Sequence, residues 1–416
     1  MKKLSKYSFG MGDRFAHQAK YHLQAITNAA SKGIDVTPVW NKSNREHTTI
    51  GSKPADTLKA VEEAIKAKSY SHQYFIDADH INLQTVEGFL DYANFFTIDV
   101  ASYIGTKADE KEKDNFLKTV EKYITNLEVP GITEKFEISK SYVEELIDTY
   151  LYAAEMANKT YKIIEDAKGK GNFITEVSMD EVENPQKPSD LFFILAMLAF
   201  YNVPVQTIAP KFTGRFNKGV DYVGDVSAFR QEFEDNLMVI DFAVKEFNLP
   251  EELKISIHSG SDKFSIYPAI KEMTQKHDKG FHIKTAGTTW LEEVIGLAKA
   301  GGDALKLVKE IYAESLTDID GLAAPYADVI DINKEELPTA EVTNSWSGQD
   351  FVDALLHIPN SEKFNPNMRQ LIHVGYKLAA DRIEEFNKQI IENKDVVGQC
   401  VYENIYDRHL KRLFEF

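Results

Sequence analysis

Cysteine is nearly absent: Cys400 is the one residue of its kind in 416. No intrachain disulfide can form, which excludes a disulfide scaffold and a multi-cysteine zinc site. Cys400 lies in a C-terminal helical region, far along the chain from the polar clusters described below, and is not read as a nucleophile. Long apolar runs are also missing. The most apolar stretch, residues 191–203, falls well short of the ~20 residues that span a bilayer, and it reads as a buried helix. Residues 1–15 carry lysines with no apolar run behind them, so no secretory signal is expected and a cytoplasmic location is. Positive charge is in deficit, with 48 Lys+Arg against 65 Asp+Glu and a net charge of −17. Such a surface repels nucleic acid and anionic membranes, and neither is expected as a partner. Local catalytic signatures are lacking too: there is no HExxH, "GMGDRF" is an incomplete dinucleotide fingerprint, and "KAGGDALK" is not a P-loop.

What is present is a globular composition, 43% hydrophobic and 11% aromatic, with a regular rhythm. Short apolar runs, "KYSFGM", "DVTPVW", "SYSHQYFIDAD", "NFFTIDV", "NFITEVS", "VPVQTIAP", "LKISIHS" and "GFHIKTA", alternate with longer helical patterns. "DVIDIN" is a further candidate strand. Strand–helix alternation implies parallel strands with crossover helices, and this number of repeats favours a (β/α)8 barrel over an open sheet. The expectation is one catalytic barrel domain over residues 1–416, with a helical insertion at about 106–150 and a helical C-terminal extension at about 333–416. The insertion and the tail are also where a homo-oligomer interface would lie.

Barrel enzymes work at the carboxyl ends of their strands, and ionisable residues collect there repeatedly. "FIDADHI" brings Asp77, Asp79 and His80. "NFITEVSMDE" brings Glu176, Ser178 and Asp180 on one face, with Glu181 adjacent. "VQTIAPKFTGRFNKG" ends in Lys211, Arg215 and Lys218. "LKISIHSGSDK" carries His258, Asp262 and Lys263, and "GFHIKTAGTTWLEE" carries His282 and Lys284. Each has a plain structural reading as a turn former, helix cap or ion-pair partner; Thr289 with Glu292 fits a capping box. Together they are the group types that bind a divalent metal or move protons. Glu176, His258 and His282 form a candidate metal shell for zinc, manganese or a similar ion, with His80 as a fourth ligand. Asp79 and Lys284 are candidate proton-transfer groups. Arg14, Lys42, Arg45, Lys211 and Lys263 are candidate substrate contacts, suited to clamping a carboxylate.

The segments "SFGMGDRF", "PVWNKSNREHT", "FIDADHI", "TEVSMDE", "KISIHSGSDKFSIYP", "FHIKTAGTTWLE" and "LIHVGYKLAAD", taken in order, resemble the tagaturonate epimerase family from the N-terminus to near residue 380. The resemblance implies a barrel, a divalent metal, and interconversion of D-tagaturonate and D-fructuronate, with tagatose and fructose as neutral counterparts. The stereocentre that inverts is β to the ketone, so removing the α-proton cannot invert it, whereas retro-aldol cleavage and re-addition can. Two other readings stand beside this one. The first is a metal-dependent barrel hydrolase, distinguished by a change of product mass. The second is an inactive sugar-binding homologue, distinguished by ligand stabilisation without turnover.

Overall fold

The computed structural model describes residues 2–133, 135–180, 182–285 and 287–415. Ten strands are present among them: β1 (Tyr7–Gly12), β2 (Thr37–Ser43), β3 (Phe75–Ile81), β4 (Phe95–Asp99), β5 (Thr125–Leu127), β6 (Phe136–Ile138), β7 (Ile174–Ser178), β8 (Thr207–Ala209), β9 (Lys254–His258) and β10 (Phe281–Lys284). Eight of them close a parallel barrel in the order β1-β10-β9-β8-β7-β4-β3-β2. All eight coincide with the runs expected as strands, and the chain is a (β/α)8-type barrel with a helical extension.

Side chains alternate across each strand, so every second residue enters the barrel. At the amino ends of β2, β3, β4 and β7 this inner set is apolar: Val39, Phe75, Phe95 and Ile174 pack with Leu4 into a small separate cluster, whereas β1, β8 and β9 bring buried Ser8, Thr207, Lys254 and Ser256. Above it the inner set turns polar, with Asn41, Asp77, Thr97, Glu176 and His282 all buried. The barrel is therefore a cup whose base is apolar along β2, β3, β4 and β7 and whose upper walls are ionisable. Its outer faces, rich in Val, Ile and Phe, bury against helices that include Ala19–Ala30, Lys140–Lys168, Pro188–Phe200 and Val226–Phe247. The apolar stretch at residues 191–203 falls largely in Pro188–Phe200, whose residues Ser189 to Leu198 are all buried.

The helix Thr288–Ala300 is buried on nearly every residue. It sits between the barrel and a second core built by the C-terminal helices around Trp290, Tyr312, Phe351 and Leu371. Three local expectations change. "DVIDIN" forms no strand: the barrel is closed and offers no edge to a ninth, and Ile330 packs into the second core instead. The insertion is not wholly helical, because β5 and β6 pair as an antiparallel ribbon between Glu110–Val120 and Lys140–Lys168. The capping box at Thr289 is not formed. The helix starts at Thr288 without a side-chain cap, the Thr289 hydroxyl meets His22 Nε2, and Glu292 pairs with Arg408.

Candidate active site

Lys284, the last residue of β10, reaches into the centre of the cup. Its ammonium lies 2.7 Å from Asp77 Oδ2, 2.9 Å from Asp79 Oδ1 and 2.8 Å from Glu176 Oε1, and it donates to Thr97 Oγ1. Burial disfavours the charge, but these three carboxylates outweigh it and hold the amine well above its usual range. Lys284 is thus a fixed cation. Glu176 is buried too; Lys284 and His258 overcome that burial and keep it ionised. Asp77 is the exception among the acids, since burial pushes it up to about 7 against the pull of Lys284.

Two histidines stand above this layer. Strand alternation alone would turn His80 out of the barrel. A register shift in the β3–β4 pairing and a left-handed backbone at His80 (φ 51°) re-aim it inward, a bulge in the functional sense. His80 Nδ1 lies 2.9 Å from Asp79 Oδ1, and His258 Nε2 lies 2.8 Å from Glu176 Oε1. Their other nitrogens, His80 Nε2 and His258 Nδ1, are buried without a well-formed hydrogen bond. Both approach one atom, Asp180 Oδ1, at 3.4 Å and 3.1 Å. Burial lowers the His258 pKa, yet Asp180 and Glu176 raise it to about 9.

This arrangement fits a divalent metal. His80, Asp180 and His258 offer three donor atoms within 4.8 Å of one another. Each imidazole has its far nitrogen on a buried carboxylate, the arrangement that fixes the tautomer of metal-ligating histidines. Asp180 was visible in the sequence as part of a strand-end cluster but had no role there; it completes this triad. Glu176 stands behind His258, with Oε2 taken by Thr207. His282 lies one layer deeper, over Phe95, with Nδ1 on Ser8 Oγ at 2.9 Å. The structure therefore sets Glu176 and His282 apart from the three converging donors. Glu181 lies outside the described residues.

Asp79, His80, Asp180, His258 and Lys284 face a cavity of about 440 Å³, within the size range of small-molecule sites, which is also lined by Arg14, Asn41, Arg45, Lys211, Lys218 and His373. Of the candidate substrate contacts, Arg14, Arg45 and Lys211 line it. Lys42 and Lys263 do not. Lys42 occupies the outward position of β2, where Asn41 and Ser43 face in, and its ammonium bonds Arg14 O and Ser52 Oγ. Lys263 is wholly buried on the carbonyls of Asn217 and Val220. Arg14 is positioned rather than free: Nε bonds Glu46, Nη1 bonds His373 O, and the guanidinium stacks 4.0 Å over Tyr376. Sequence reasoning missed two wall residues. Asn41 has both amide atoms buried and unpaired among the described residues, and its inward parity on β2 was readable. His373 arrives from the helical tail, where no strand pattern points to the cup.

A closed parallel barrel whose strand ends gather acids, imidazoles and a buried ammonium is a barrel enzyme for acid–base chemistry on a small polar substrate. The sequence matches the tagaturonate epimerase family across residues 1–413, and the chain belongs to that family; it is an isomerase. A tagaturonate/fructuronate epimerase of Thermotoga maritima is 28% identical over 420 residues, covering 98% of this chain and 80% of the relative. The fructuronate-tagaturonate epimerase of Cohnella laeviribosi, solved with glycerol, has the same fold: TM-score 0.81 at 24% identity, over 99% of this chain and 82% of that one. Its native structure superposes with a TM-score of 0.79 at 23% identity, with the same coverage. No helix among the described residues is long and apolar enough to cross a membrane.

Proposed function

We propose that the protein interconverts D-tagaturonate and D-fructuronate by retro-aldol cleavage and re-addition, with a divalent metal held by His80, Asp180 and His258. One observation carries the reading: the three converging donors and the Lys284 hub open onto the same cavity. When bound, the ion supplies Lewis-acid charge beside the substrate oxygens. Everything else falls to the chain. Asp79 lies on the cavity wall between Lys284 and His80. Burial raises its pKa, but the charges around it, Lys284 foremost, more than reverse this and keep it an anion, the form of a carboxylate that can take a proton. It takes the proton of the hydroxyl β to the ketone as the adjacent carbon–carbon bond opens to an aldehyde and an enediolate. It returns that proton when the bond re-forms on the other face of the aldehyde. Lys284 stays protonated and offsets the charge of Asp77, Asp79 and Glu176. That makes it an unsuitable Schiff-base nucleophile, which needs a neutral amine.

The test is to incubate the metal-loaded protein with each uronate and follow it by NMR. The expected result is conversion to the epimer, with loss of turnover after exhaustive chelation. Metal content measured after dialysis should fall in Asp180→Asn and His258→Ala. Full activity after chelation, or full metal content in both variants, overturns the metal assignment. Borohydride trapping of a covalent adduct with substrate overturns the role given to Lys284.

A further inference from the structure

The basic side chains of the cavity are not equivalent as partners for an anion. Arg14 is committed to Glu46 and His373, the Lys211 ammonium to the carbonyl of Val182, and Arg215 to Asp331 at 2.8 Å. Lys218 differs. It lines the cavity from the loop after β8, and its backbone is pinned by its N–H donating to Val329 O. Its ammonium has no hydrogen bond or ion pair among the described residues. It lies 3.6 Å from where a Cβ would stand on Gly260, and a Cβ on Gly287 would stand 2.9 Å from Gly260 O and 2.7 Å from His373 Nε2. Lys218, Gly260, Gly287 and His373 therefore wall one corner of the cavity. That corner is electropositive. His373 is driven well below its usual range by burial, then by Arg14, Lys218, Arg369 and Lys263.

We propose that Lys218 receives the carboxylate of the sugar acid and sets the preference for hexuronates over neutral ketohexoses. This rests on the function proposed above. Lys218 and Lys284 line the same cavity, and at Gly260 and Gly287 backbone rather than side chain borders the corner that Lys218 shares with His373. Filling either glycine position would narrow the space that a carboxylate needs. A half-buried ammonium with no acceptor among the described residues is a partner held in reserve for one on the ligand, because an unpaired charge away from bulk water is costly.

The test compares Lys218→Met and Lys218→Arg with the wild type. Binding of fructuronate and of fructose is measured by calorimetry, and turnover by NMR. Losing a charge-assisted hydrogen bond should weaken fructuronate binding about 10- to 100-fold, and the ratio of fructuronate to fructose affinity should fall by a similar factor. The arginine variant should recover most of it. Lys218→Met with wild-type fructuronate affinity, or with both ligands weakened equally, overturns the proposal. Wild-type protein that binds fructuronate without epimerising it overturns the function proposed above and leaves Lys218 to be judged on binding. Wild-type protein that fails to bind fructuronate overturns both.

Discussion

Lys284→Met is the most informative single change. The ammonium is 3% exposed and faces three carboxylates at 2.7–2.9 Å. Methionine keeps most of the volume and removes the charge, leaving those carboxylates without their shared partner. Breaking a buried ionic contact on one side costs about 3–5 kcal/mol. Unfolding entropy of about 2.1 cal/mol/K per residue, over 416 residues, converts this to a fall in melting temperature of about 3–6 °C. The deficit should shrink as pH falls from 8 to 5.5. The orphaned carboxylates then have folded pKa values above their unfolded ones, and a carboxylate raised in this way favours the folded state as it takes up its proton. Adding Asp77→Asn should restore part of the loss, because Asp77 is the acid that burial already pushes up to about 7. Circular dichroism melts of the two variants and the wild type at both pH values measure all of this. A single variant melting within about 1 °C of the wild type at pH 8, or a double variant no better than the single, refutes the hub. Turnover by Lys284→Met should drop by about 10²- to 10³-fold, the range for removing one preorganised electrostatic partner.

Three further outcomes follow from other parts of the molecule. Asp262 is fully buried between Arg369 at 2.8 Å and His409 at 3.0 Å, so Asp262→Asn should cost about 3–5 kcal/mol in urea denaturation, with Asp262→Asn/Arg369→Met recovering part. His22 is buried and held at about 4 by desolvation, while an unfolded histidine sits near 6.5. The unfolded chain then binds more protons between pH 6.5 and 4, so stability falls on acidification through that window. The loss amounts to about 3 kcal/mol at 1.36 per pKa unit, and melts of His22→Gln should be flatter over it. A Cβ at Gly287 would lie 1.9 Å from His373 Cε1. Gly287→Ala should therefore destabilise by about 1–3 kcal/mol through overpacking, and the penalty should be smaller in a His373→Ala background, though not zero, because Gly260 O stands 2.9 Å from the same Cβ.

The barrel was legible because each strand combines an outward apolar set with an inward set that changes character along its length, and because turn and helix signals separate the runs. "DVIDIN" has the same alternation, but strand formation needs a free edge, and closure of the barrel leaves none. The ribbon β5–β6 escaped notice since its strands are three residues each, too short for a period-two pattern to register. Within the site, Asp77, Asp79, Glu176, His258 and Lys284 were readable as strand-end groups facing in. His80 was named from its residue type, and what brings it inward is a bulge that alternation does not reveal. Lys42 was misread against its own parity on β2. Lys263 sits in a loop, and nothing local says which way a loop side chain turns. His373 was beyond reach, since its contribution depends on where a helical tail docks.

The floor of Val39, Phe75, Phe95 and Ile174 with Leu4 has a kinetic meaning. In a retro-aldol route the sugar exists for a moment as two separate molecules, and the yield of epimer depends on their meeting again before either diffuses away. Hydrocarbon closes this side of the barrel base, and the cavity opens at the carboxyl ends of the strands. On the proposed route, both halves would be held beside the groups that rejoin them while the aldehyde turns over. The same five side chains that pack the barrel base would, on that route, also bias the cleavage toward recombination.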